Sequence, residues 1–376
     1  MRSTVRFVLP PELEAAAPPE MRGLRRDHVR LLLLDRGTGA VRHHRFDELP
    51  LLLAPGDLVV VNDSRTLPAS LLGRTASGAA LEVRLAARAP TGDGGERWAA
   101  LPLGVPADGG DPALVPTDAR PAVPPLPPGE RLVFGGGLTA TVLGRHPEAP
   151  PLVWLAFDTG GERLAEALHR AGRPVRYAYV PRPWPLHHYQ TLFAAAPGSA
   201  EMASAGRPFT VQTVRALRDR GIGLATISLH AGLSTYGDPA VDRQFVPPEA
   251  YRVPEATAAA FDRCRATGGR VVAVGTTVVR ALETAAAGGG GVRAGAGVTR
   301  LRIGPGHRLL AVDGLLTGLH EPEASHLDLL GAFVDLEVLG RAYTTALDAG
   351  YLWHEFGDVC LVLGESAELP QRIAVP

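Results

Sequence analysis

The sequence predicts an α/β protein: a mostly parallel sheet with helices on both faces, carrying an inserted small all-β barrel. Three observations lead there. Short β-branched apolar runs, such as VVAV at 271–274, alternate with helical-period segments, such as TVVRALETAAA after it. Between residues 71 and 153 the helical period vanishes, and short strand-like pieces alternate with Gly- and Pro-rich breaks. The helical period then returns until the end of the chain. The expected domains are 1–70 with 154–376, a discontinuous α/β catalytic domain, and 71–153, the inserted barrel.

Composition narrows the class. The chain has 376 residues, enough for roughly two or three domains. Lys plus Arg is 38 and Asp plus Glu is 39, so nucleic-acid binding would need a local basic patch. Cys264 and Cys360 suit a reducing compartment and form no metal set. The N-terminus lacks a signal-peptide core, and no run approaches the ~20 apolar residues of a membrane span. A cytoplasmic protein with no membrane partner is expected.

The elements follow in order. Residues 29–34 read as a strand and 40–46 as its returning partner, joined by the turn residues 35–39. Residues 46–53 suggest a short helix. The run 58–61 is a buried strand that delivers Asn62, Asp63, Ser64 and Arg65, where α/β folds place their sites. In 71–153, strands are expected at 81–85, 131–134 and 138–143, with a Gly-rich break at 91–95. A helix over 162–171 should close at Gly172. Residues 197–208 show no clear element, and a connection that long inside a domain is often functional. Thr210 caps the next helix, which stops at Gly221. The strand 222–229 delivers His230. A helix over 254–267 leads into the strand 271–274. Gly275 permits a tight turn or close backbone approach, and Thr276 or Thr277 can cap the helix that carries Arg280. Such a helix start attracts anions. Strands are expected at 301–303, 309–312, 315–319 and 359–363, and helices at 322–333 and 337–349.

His230, His320 and Asp358 stand at strand ends, which makes them candidates for site chemistry. No metal-ligand spacing, Walker loop, G-x-G-x-x-G after a strand or G-x-S-x-G elbow occurs. No metal is therefore expected.

Six segments in order give the chain a resemblance. They are GDLVVVNDSRTLPASLLGR (56–74), HYQTLFAAAPGSAEMASAG (188–206), ISLHAGLSTY (227–236), VGTTVVRALE (274–283), TGLHEPEAS (317–325) and FGDVCLVL (356–363). In these the chain resembles the S-adenosylmethionine:tRNA ribosyltransferase-isomerase family of queuosine biosynthesis. The resemblance implies an α/β domain with an inserted barrel. It also implies transfer and isomerisation of the ribosyl group of S-adenosylmethionine, the co-substrate, onto a 7-aminomethyl-7-deazaguanine in tRNA. Epoxyqueuosine would form, with release of adenine and methionine.

The residue types suit these demands. The sulfonium acidifies a C5′ proton that His230 or His320 could remove. Asp63 or Asp358 could assist the departure of adenine. Gly275, Thr276, Thr277 and Arg280 offer a helix start and a cation for the methionine carboxylate. Asn62, Arg65 and Gln190 offer hydrogen bonds to ribose and base.

The chain also departs from the family pattern. Pro208 stands where that pattern has a histidine, and Val246-Pro247-Pro248-Glu249 replaces M-H-S-E. Gly318 replaces an Asn, and His326 and Asp328 interrupt a usually apolar helix. Two alternatives follow: a divergent S-adenosylmethionine enzyme with a small non-tRNA acceptor, or a non-catalytic binding protein of the same fold. A closed, neutral pocket would favour the small acceptor. A pocket filled by Arg207 or Trp353 would favour the non-catalytic protein.

Overall fold

The computed structural model describes residues 5–90, 96–322 and 324–364. The break expected at 91–95 lies outside them. The strands are β1 Arg30–Asp35, β2 Val41–Arg45, β3 Leu58–Asn62, β4 Ser64–Thr66, β5 Ser70–Thr75, β6 Ala80–Pro90, β7 Glu96–Gly104, β8 Arg131–Phe134, β9 Thr139–Arg145, β10 Val153–Phe157, β11 Gly172–Arg173, β12 Ala196–Ser199, β13 Gly223–Leu229, β14 Glu249–Val253, β15 Val271–Val274, β16 Gly295–Thr299, β17 Gly314–Gly318 and β18 Val359–Leu363. The helices are α1 Leu49–Leu52, α2 Gly161–Ala171, α3 Val211–Asp219, α4 Pro239–Gln244, α5 Glu255–Ala266, α6 Thr276–Ala286, α7 Ser325–Leu330 and α8 Leu336–Asp348. The chain divides into two compact units, one of residues 1–62, 204–228 and 251–376, the other of 63–203 and 229–250. Among the described residues no helix is long and apolar enough to cross a membrane.

A nine-stranded sheet, ordered β16-β14-β13-β3-β15-β17-β18-β1-β2, forms the frame of the first unit. Every residue of β3, β15 and β18 is buried, which is why these strands read as unbroken apolar runs rather than alternating ones. β13, β3, β15 and β17 pair in parallel. β18 runs antiparallel to β17 and parallel to β1, while β1 and β2 form a hairpin. The sheet is thus mixed. Strand direction is not written in an apolar run, because a buried strand has the same composition either way.

The second unit contains a closed barrel. β5-β6-β7-β10-β9-β8 pair in that order, all antiparallel, and β5 pairs with β8 to complete six strands. Leu71, Leu81, Val83, Leu132, Val142 and Leu155 share one face of the closed sheet and fill the interior. Each such side chain contributes about 1.5–3 kcal/mol on burial. Closure also removes the free edges of the sheet.

Several local expectations change. Residues 301–303 and 309–312 are not strands. Their backbone groups are held by side chains of α6: Arg280 Nε donates to Leu301 O, and the Glu283 carboxylate accepts from Leu310, Ala311 and Val312 N–H. The segment 197–208 is not elementless, since β12 pairs with β4. Thr276 and Thr277 do not cap α6; Gly275 is the N-cap, and it makes no side-chain cap bond. Helix α2 does close at Gly172 as expected, though with φ −95° rather than in the left-handed region. A Cβ there would clash with Pro68 O, just before β5, so glycine is required for that close approach. Helix α7 is shorter than the expected 322–333.

Candidate functional site

The predicted site residues fall into two groups, one in each unit. In the first unit Asn62, Gly275 and His320 stand at or just past the carboxyl ends of β3, β15 and β17, Arg280 lies within α6, and Asp358 precedes β18. Asn62, buried at the end of β3, donates from Nδ2 to Thr277 Oγ1 at 3.2 Å. Gly275, after β15, has φ 92° and ψ 154°, a backbone state open in practice to glycine alone. Its N–H bonds to Leu316 O at 2.8 Å, which ties the turn to β17. Thr276 is therefore the first helical residue of α6 and leaves its N-terminal amides available to an anion.

His320, just past β17, is fixed on several sides. Its Nε2 lies 2.8 Å from Thr317 Oγ1, its carbonyl accepts from Trp353 Nε1 at 3.0 Å, and its N–H donates to Tyr343 OH at 3.4 Å. Its ring stacks on that of His326. Burial holds His320 well below the ordinary imidazole range, with His326 and His354 adding to the shift. Burial, with Arg280 next, brings His326 down to about 4. His354 also falls to about 4 through burial. His354 is the one non-glycine residue of positive φ among those described, and it lies between Glu14 (3.3 Å) and Glu321 (3.5 Å). The result is a set of imidazoles that stay neutral at pH 7.

Asp358 has a different environment. Its carboxylate accepts from Arg30 N–H at 2.7 Å, Leu352 N–H at 2.8 Å and the Arg30 guanidinium at 3.1 Å. It joins β1 to the start of β18, which is an anchoring geometry. Arg280 likewise has its Nε–H directed at Leu301 O. A small cleft in this unit is lined by Arg26, Arg207, Pro208, Glu355, Phe356 and Asp358, among others. Arg207 is 2% exposed, pairs with Glu20 at 2.9 Å and lies over the Phe356 ring. Trp353 is fully buried.

The second unit holds Asp63, Arg65, Gln190 and His230. Asp63 is half-buried and Arg65 exposed. The Gln190 amide accepts from Thr66 N–H (3.1 Å) and donates to Thr66 O (2.8 Å), as a strand partner would. It thereby holds the strand that carries Arg65. His230 Nδ1 lies 2.8 Å from Ser64 Oγ. Burial, and then Arg88, lower the His230 pKa, against the opposing pull of Asp63.

Sequence reading missed Thr317, His354 and Ser199, and it named Ser64 only as part of a polar cluster without giving it a role. Ser64 and Ser199 stand within the resemblance segments, on the short strands β4 and β12, but a hydroxyl there carries no signal of its own. His354 has none either, because a positive φ is a tertiary constraint. Among the described residues no three His, Cys, Asp or Glu side chains converge as a metal site requires.

A mixed nine-stranded sheet in one unit and a closed six-stranded antiparallel barrel in the other define a two-unit α/β protein with a β-barrel. The chain belongs to the queuosine biosynthesis protein family, whose model matches residues 2–362. It is 38% identical over 364 residues to an S-adenosylmethionine:tRNA ribosyltransferase-isomerase of Moorella thermoacetica, covering 95% of this chain and 98% of that one. It is 40% identical to one of Anaeromyxobacter sp. (strain K), covering 95% and 97%. The crystal structure of an S-adenosylmethionine tRNA ribosyltransferase from Thermotoga maritima superposes with a TM-score of 0.52 at 30% identity, covering 96% of this chain and all of that one.

Proposed function

We propose that the chain transfers and isomerises the ribosyl group of S-adenosylmethionine onto a 7-aminomethyl-7-deazaguanine in tRNA. The products are epoxyqueuosine, adenine and methionine. The observation that carries this reading is the family match along nearly the whole chain. In this reading the barrel, predicted at 71–153, is the insertion, and 1–70 with 154–376 supply the catalytic domain. The reaction takes place in the cytoplasm.

The chemistry distributes over named groups. A base removes the C5′ proton that the sulfonium acidifies, and a neutral imidazole at pH 7 suits that task. His320 meets the requirement, and its bonds to Thr317, Trp353 and Tyr343 fix its direction. Asp63 or Asp358 assists the leaving adenine. The α6 start at Gly275, Thr276 and Thr277 holds the methionine carboxylate, with Arg280 behind it. Asn62 and Arg65 bond ribose and base, and Gln190 supports Arg65.

The test is adenine release from S-adenosylmethionine, with and without tRNA bearing the aminomethyl deazaguanine. Release that requires the modified tRNA supports the proposal. Release without it would overturn the acceptor assignment, and no release at all would overturn the enzyme.

A further inference from the structure

The charges of this chain nearly cancel, so an RNA acceptor needs a local patch of basic groups. The barrel of the second unit offers one. On β10, Val153 and Leu155 lie in the barrel core, so Trp154 between them faces outward. β7 and β9 flank β10, with Ala99 and Gly144 opposite Trp154. Arg97 stands two residues before Ala99 on β7, and Arg145 follows Gly144 on β9. The Arg97 guanidinium carbon lies 4.1 Å from the centre of the Trp154 ring, a cation–π contact. The His146 ring lies 4.9 Å from that of Trp154, and Phe245 meets His146 edge-on at 5.3 Å. Arg97 and Trp154 are half-buried, and Arg145 is exposed.

Other arginines of this unit are neutralised. Arg84 and Arg120 pair with Glu82, Arg176 with Asp111, Arg131 with Asp158 and Arg88 with Glu96. Arg97 and Arg145 form no ion pair or hydrogen bond among the described residues. Arg97 Nε is a buried donor with no acceptor among them, a rare state in a folded protein. Trp154 nonetheless fixes the guanidinium that carries it. A guanidinium already held on an indole loses little freedom when it takes an anion, and its fork matches phosphate oxygens.

We propose that the outer face of the barrel at β7, β9 and β10 contacts the RNA backbone, with Arg97 and Arg145 meeting phosphates on either side of Trp154. The choice of RNA as the polyanion rests on the tRNA acceptor proposed above.

Trp154 acts through Arg97. Its ring has Arg97 and His146 against it, so it supports the guanidinium rather than stacking on a base. Phosphate contacts position an RNA and carry no base information. The surface therefore docks the RNA and does not select the modified base. Glu96, the acid next to Arg97 in the chain, is engaged by Arg88 and leaves the positive charge of Arg97 unopposed.

The experiment is fluorescence anisotropy of labelled tRNA with the full chain, over a series of salt concentrations, for tRNA with and without the aminomethyl deazaguanine. Arg97→Gln and Arg145→Gln should each weaken binding roughly threefold or more at about 0.1 M salt, and each should lower the salt slope by about 1. The loss should be equal for the two tRNAs. Arg131→Gln removes an exposed arginine paired with Asp158 and should bind as the wild type does. Tm should stay at the wild-type value in Arg145→Gln, whose side chain is exposed, so that variant keeps the test valid if Arg97→Gln lowers Tm. Wild-type affinity and slope in both variants overturn the proposal and leave the acceptor reading intact, and so does an equal loss in Arg131→Gln. A loss confined to the modified tRNA overturns the phosphate contact. A wild type that binds neither tRNA removes the acceptor reading itself, and the RNA surface with it.

Discussion

The imidazole rings of His320 and His326 lie stacked, with centroids 4.6 Å apart and planes 5° from parallel. Stacked imidazoles exclude a second proton, because two cations at that distance in a partly dry site repel. Burial first, and then the neighbouring His326 and His354, keeps the candidate base His320 unprotonated, while burial and Arg280 do the same for His326.

The pH dependence of stability follows. His326 and His354 have folded values of about 4, below the ordinary 6.5, so the unfolded chain binds their protons first. Stability from these groups is complete above about 6.5 and falls as pH drops towards 4. Each proton contributes at most about 1.4 kcal/mol per pH unit. Tm should decline from pH 7 to pH 4.5, and His326→Phe should make that decline shallower. The Glu20 carboxylate, lowered to about 2, acts in a separate window below 4.5. An identical slope in wild type and His326→Phe would refute the assignment.

Glu283 should prove a structural carboxylate. It is 2% exposed and accepts from three consecutive backbone N–H groups at 2.8, 2.9 and 3.2 Å. Glu283→Ala leaves those donors without it, and should cost about 3 kcal/mol or more in urea unfolding. A loss under about 1 kcal/mol would mean that solvent replaces the carboxylate.

A buried ion network should govern the barrel. Glu82 accepts from Arg84 Nε and Ser70 Oγ, each at 2.8 Å, and also pairs with Arg120. Glu82 and Arg84 side chains are 3% and 1% exposed. Glu82→Ala strands two cations and should destabilise by about 3–5 kcal/mol. Replacing Glu82, Arg84 and Arg120 together by apolar residues should cost less than Glu82→Ala alone, which a set of denaturation curves would check.

Gly275→Ala isolates the backbone term at the head of α6. The new Cβ would find 3.6 Å to Ala205 Cβ, so the penalty comes from the φ of 92°. It should be about 1–3 kcal/mol. If the α6 start holds the methionine carboxylate, heat stabilisation by S-adenosylmethionine should fall as well. Full ligand stabilisation in the variant would place that carboxylate elsewhere.

The sequence by itself determined the element types wherever a strand was buried on both faces or a helix carried one apolar stripe. β3, β15 and β18 were legible because each residue in them is buried, and α3 because Thr210 caps it at Thr213 N–H. The change of texture after residue 70 was legible as a β module, since short strands broken by Gly and Pro have no helical alternative. Only the tertiary structure decided strand direction, as at β18, because apolar runs carry no polarity. It alone decided that 301–303 and 309–312 are loops, because distant side chains, Arg280 and Glu283, take their backbone hydrogen bonds. It also separated residues of similar appearance. Asp358 and Asp63 are both carboxylates that flank strands, yet Arg30 and Leu352 engage the first, while the charge of the second acts on His230. Neighbours far apart in the chain set such differences, so no local window contains them.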